Sequence, residues 1–146
     1  MSNQDENTDI SHSFTEGEVR AITAAFNAAR VETKRRFFDV LTKLQFDQAV
    51  ISALRERNHI TTMSDLSNHF EGSVNPTEFE GVSLANYIRL HCFFCYVKAK
   101  ADQQGAPFIG AQPGSNALDL FLKTFIPNLE DFKNYMANQR LPPGVS

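Results

Sequence analysis

Residues 82–100, VSLANYIRLHCFFCYVKAK, form a long stretch without Gly or Pro in which apolar side chains occupy nearly every face of a helix. Leu84, Tyr87, Ile88, His91, Cys92 and Cys95 recur at helical spacing, and Leu90, Phe93, Phe94, Tyr96 and Val97 fill much of the remaining circumference. A helix with no polar side has no face to give to water, so other parts of the chain must cover it. A membrane is the rival cover, but a spanning helix needs about 20 mostly uncharged residues, and Arg89, His91 and Lys98 interrupt the run. The stretch reads as a buried central helix, over about 83–101, in an all-α bundle of about six or seven helices.

The rest of the chain supplies that cover. Thr15 followed by Glu18 is a capping box that opens a first helix, with Phe14 and Val19 placed for a hydrophobic staple. Val19, Ile22, Phe26 and Ala29 continue one apolar face of it. The spacing predicts a bend or short break at Val31–Thr33, after which Phe37, Phe38, Val40, Leu41 and Leu44 make a second helix. Phe46-Asp47 repeats the cap and staple ahead of a helix through Leu54 that stops at Asn58, a residue that tolerates a left-handed terminus. Thr61 or Thr62 caps a short helix through Met63, Leu66 and Phe70, ended by Gly72. Residues 73–81 read as a linker pinned by Phe79 and Val82, and Ser83 caps the central helix.

Residues 103–115, QQGAPFIGAQPGS, hold three Gly and two Pro and read as a loop anchored by Phe108 and Ile109. Ser115 or Asn116 then caps a helix over 117–126 that Pro127 stops, and Asn128 with Asp131 opens a last one. Residues 1–13 read as a solvated tail, 14–139 as one helical domain and 140–146 as linker-like. That assignment makes the chain the N-terminal domain of a longer protein.

A formal charge of −3 provides no overall basic field for nucleic acid or anionic lipid. The average conceals an asymmetry, because residues 20–57 carry eight Lys/Arg against four Asp/Glu and the remainder six against thirteen. Lys34, Arg35, Arg36, Arg55 and Arg57 are the candidate interaction surface within the basic part. Two cysteines make no disulfide framework and read as reduced thiols in an intracellular protein, cytoplasmic or nuclear.

Candidate chemistry is sparse. Cys92 and Cys95 form a C-x-x-C, but thiol reactivity needs a depressed pKa, usually from a helix N-terminus, and both lie well inside the central helix. His12, His59 and His69 lack ligand spacing with them, so no metal is expected. His91 has no carboxylate beside it on the helix, and neither a nucleophile elbow nor a calcium loop is present. No catalytic residue, cofactor or membrane contact is assigned.

Residues 46–66, FDQAVISALRERNHITTMSDL, resemble the sterile-alpha-motif and helix-hairpin-helix type of module: a short helix containing Leu54, a tight turn, an Ile, then Thr-Thr and a second helix entered through Asp-Leu. The turn Asn58-His59-Ile60 lacks the glycines with which DNA-binding hairpins bring amides to a phosphate. The resemblance therefore implies the sterile-alpha-motif role of joining proteins together, often into polymers. Phe-rich helices followed by Leu141-Pro142-Pro143-Gly144 also resemble the helical N-terminal regions of retroelement Gag-like proteins. The leading expectation is thus a non-enzymatic module for protein–protein contact or self-assembly in a larger, viral or retroelement-like protein. The alternatives are a nucleic-acid-binding domain using residues 20–57 and, third, a small enzyme.

Overall fold

The computed structural model describes residues 14–72, 78–104 and 116–138, and in them the chain forms six α-helices and no strand. They are α1 (Glu16–Lys43), α2 (Gln48–Arg57), α3 (Met63–Glu71), α4 (Leu84–Gln103), α5 (Ala117–Leu122) and α6 (Leu129–Ala137). Contacts divide the chain into two units, 1–32 and 33–146, and α1 passes from one into the other. The loop anchors Phe108 and Ile109, the linker residues 73–77, the tail 1–13 and the end 140–146 fall outside the described residues.

In the 33–146 unit the all-round apolar helix is the centre, as its sequence requires. Ser83 caps α4 by accepting from the Asn86 amide at 3.2 Å. Tyr87, Leu90, Cys92, Phe93, Phe94, Tyr96, Val97 and Ala101 are buried along it. Phe93 shows how the cover is assembled from distant sequence: its ring meets Phe37 at 6.4 Å, Phe46 at 5.8 Å and Phe132 at 6.3 Å, each edge-on. Edge-on aromatic pairs contribute roughly 0.5–1.5 kcal/mol beyond the area they bury. The core interleaves these rings with aliphatic side chains such as Leu41, Leu54 and Leu66.

Several boundaries differ from expectation, each for a local reason. The predicted break at Val31–Thr33 does not occur, and α1 is one helix of 28 residues. The sequence there contains no Gly or Pro to force a break. Instead α1 ends at a left-handed Gln45 (φ +64°), with the Phe46 amide on the Leu41 carbonyl and the Gln45 amide on that of Thr42. This double closure satisfies carbonyls that a helix end leaves open.

Helix α2 stops at Asn58 as expected, but the left-handed residue there is His59 (φ +56°). Asn58 is needed elsewhere: its side chain donates to the Ala53 and Glu80 carbonyls and accepts from the Glu80 amide. Asp47 occupies the cap position of α2 without a side-chain cap bond. Thr62 caps α3 through the Asp65 amide, and Asn128 caps α6 through the Asp131 amide.

The largest boundary difference is α5, which stops at Leu122 rather than at 126. Arg36 from α1 explains the stop. Its Nε donates to the Leu122 carbonyl at 2.7 Å and its Nη2 to the Phe125 carbonyl. The Leu122 carbonyl is shared between the guanidinium and the Phe125 amide at 3.3 Å, a tighter turn in place of α-helical bonding. Phe125 remains buried, while Ile126 is exposed.

Candidate interaction surface

Residues 14–32 form the described part of the first unit, and every one of them is exposed. Their helix is locally well specified. The Thr15 amide donates to Glu18 Oε1 at 2.7 Å and the Glu18 amide to Thr15 Oγ1 at 3.1 Å, the reciprocal bonds of the capping box. The Thr15 amide, and then its hydroxyl, hold the Glu18 carboxyl below the usual carboxylate range. Ala21, Ala24, Ala25, Ala28 and Ala29 favour the helical backbone without adding bulk.

One face of this segment is apolar. Val19, Ile22, Phe26 and Ala29 follow a 3-4-3 spacing, which aligns them along a single side of a helix. They were expected to face a core. Val19 is instead 49% exposed, Ile22 40% and Phe26 68%. Scattered exposed apolar residues are ordinary, but an aligned row of large ones marks a contact site. Phe14, also exposed, sits just before the helix start.

The five basic residues of the sequence reading do not act as one set. Lys34 and Arg35 are exposed on α1. Arg36 is partly buried, bonded to two carbonyls and paired with Asp39 at 3.0 Å, so it is engaged within the chain rather than offered as interaction surface: its planar donor fork holds the chain after α5. Arg55 lies 5.4 Å from the centre of the Phe38 ring and 3.4 Å from Glu56. Arg57 pairs with Glu80 at 3.8 Å. Phe37 is fully buried and Phe38 packs against the core, which leaves neither as a free stacking platform beside the basic triplet.

The thiols line a different feature. An open cleft of about 390 Å³ between α3, α4 and α6 is walled by Phe70 and Phe94, and the Lys98–Glu71 ion pair lies beside it. Cys95 faces it, with its sulfur 3.7 Å from His91 Nε2. Burial foremost, then the adjacent Cys92 and Glu71 against an opposing effect of Lys98, pushes the Cys95 thiol up to about 11. Burial also keeps His91 below its ordinary value, despite the opposing Glu71 charge. The pair therefore stands as neutral imidazole and protonated thiol near neutral pH, with little thiolate for nucleophilic attack. Among the described residues no group of three or more His, Cys, Asp or Glu is arranged to hold a metal, and no helix is long and apolar enough to cross a membrane.

Two structural side chains escaped the sequence reading. Asp119 is buried in α5 and accepts from the Met63 amide at 2.8 Å and the Ser64 amide at 3.4 Å, so it caps α3 from another element. Arg89 reaches the Leu44 carbonyl at 2.9 Å while lying 4.7 Å from the centre of the Phe46 ring. Both act across long sequence separation, where local spacing carries no signal. Comparison of the chain with family models, curated proteins and solved structures finds no match.

Proposed function

We propose that the chain is a non-enzymatic helical module for protein–protein contact within an intracellular protein, and that the apolar face of α1 over residues 16–32 is the contacting surface. One observation carries the reading: Val19, Ile22 and Phe26 are aligned on a well-capped helix and exposed. Covering a side chain of this kind is worth roughly 1.5–3 kcal/mol relative to leaving it in water. The sterile-alpha-motif resemblance of residues 46–66, which implies the joining of proteins, points the same way. This reading moves the expected contact from the basic residues to the apolar row, since Arg36, Arg55 and Arg57 already have partners within the chain.

A photoreactive phenylalanine analogue at position 26, in the chain expressed in the cell that makes it, tests the reading. Irradiation yields covalent protein adducts at position 26 and few at position 20, on the opposite side of the helix. Equal labelling at both positions, or none at either, overturns it.

A further inference from the structure

Resting on that reading of α1, we infer that the protein covering this face is a second copy of the same chain, its residues 16–32 lying antiparallel across a two-fold axis near residue 24. The chain's own tail is a poor cover, since residues 1–13 contain only Met1 and Ile10 as large apolar side chains. The 3-4-3 row is, by contrast, self-complementary when reversed. Val19 then faces Ala29 of the second copy and Ile22 faces Phe26, with the same two layers repeated beyond the axis. Each layer combines a larger with a smaller side chain, so the layers differ less in bulk than they do in parallel register. A parallel pair in register stacks Phe26 on Phe26 and Ala29 on Ala29, which spreads the helices at one layer and leaves a gap at the next.

The flanks favour the same arrangement. Taking Val19 and Phe26 as a positions and Ile22 and Ala29 as d positions, Glu16 and Arg30 occupy e positions. Antiparallel pairing sets Glu16 of each copy beside Arg30 of the other, an attractive contact made twice. Arg30 donates to Asn27 Oδ1 through Nη2 at 2.7 Å and retains other donors of its fork. The opposite flank sets Glu18 near Glu32, which is the unfavourable pair. Its repulsion is reduced because the Glu18 carboxylate is turned back onto the Thr15 amide at the positive end of the helix, and Glu32 is engaged within its own chain. In a parallel pair Arg30 meets Ala25 and no such charge contact forms. Because both copies present the same surface, the contact closes at two copies.

Light scattering over a concentration series tests this with the purified full chain. The mass rises from 16.4 kDa to twice that value and no further, and Phe26→Glu remains monomeric with unchanged helical content at low concentration. Glu16→Arg and Arg30→Glu each raise the dissociation constant by about tenfold by placing like charges together. The double variant returns it towards the original. That rescue separates the pairing from damage to the helix, since the double variant carries both local defects. A monomer at every concentration, growth beyond two copies, or a double variant no tighter than the single ones overturns the inference. Foreign-protein adducts at position 26 with a purified chain that stays monomeric would leave the contact surface standing and remove only the second copy.

Discussion

The two halves of α1 carry the same row of apolar side chains to opposite fates. Val19, Ile22, Phe26 and Ala29 lead through Thr33 into Phe37, Val40 and Leu44 at steps of three and four, the same amphipathic spacing on either side of Thr33. Phe37, Val40 and Leu44 are completely buried, while Phe26 is 68% exposed. Helix propensity and amphipathic pattern are therefore common to both halves. What differs is cover: the second half belongs to a unit built around α4, and the first half does not. Pattern shows which face a helix offers to a partner, and only tertiary contact shows whether that partner is within the chain.

The sharpest test removes the same side chain from each half. Phe37→Ala empties a fully buried aromatic site that meets the Phe38 and Phe93 rings and should cost about 3–5 kcal/mol in denaturant unfolding at low protein concentration. Phe26→Ala removes a ring already largely in water and should change monomer stability by about 0.5 kcal/mol or less. Comparable losses would show that the first half has an intramolecular cover and would break the contrast.

A second test asks how the buried region holds its polar groups. Asp119→Ala leaves the Met63 and Ser64 amides at the start of α3 without their acceptor, and should destabilise by about 1–3 kcal/mol, the usual penalty for orphaning buried donors. Asp119→Asn keeps one carbonyl oxygen for Met63 and should lose less. Equal losses would mean that the negative charge rather than acceptor geometry matters there.

How much of this was legible follows from range. The all-α class and the central place of α4 were readable because an all-round apolar helix admits few environments, and the caps at Thr15, Thr62, Ser83 and Asn128 were readable because their partners lie three residues away. The end of α5 was not, because it is set by Arg36 from some 86 residues earlier. A shift of the apolar face around Arg30–Thr33 suggests a bend or short break, whereas the row passes through Thr33 at helical steps and α1 runs on unbroken. The exposure of residues 19–29 could not be read at all, since an uncovered amphipathic face has the same pattern as a covered one.

Smaller effects should follow from the caps. Thr62→Ala removes the Asp65 bond of a helix packed in the core, and should lower global stability by roughly 1 kcal/mol. Thr15→Ala removes a cap of the same type from an exposed helix. Its free-energy effect should be confined to residues 16–32, visible as faster amide exchange there with an unchanged unfolding midpoint. A shift of the global midpoint would tie the first half of α1 to the cooperative unit.

The last and smallest effect uses pH to separate the halves. His69 sits with its ring 4.0 Å from that of Phe79 and its Nε2 3.1 Å from the Tyr87 hydroxyl, and burial holds it below its ordinary value of 6.5, as burial does for His91. When a folded-state pKa lies below the unfolded one, the unfolded chain takes the proton first as pH falls. Stability from these groups is therefore present above about pH 6.5 and is lost as pH falls through their folded values. Asp119, whose carboxyl burial raises above the ordinary carboxylate value, has the opposite sign in a more acidic range. Between pH 7 and 5 the midpoint of unfolding should fall, and His69→Gln with His91→Gln should flatten that slope. Residues 14–32 contain no histidine, so amide exchange there, corrected for its intrinsic pH dependence, should stay level across the same range. Parallel loss of protection in both halves would mean that they unfold together, and the difference between covered and uncovered faces of α1 would not extend to their stability.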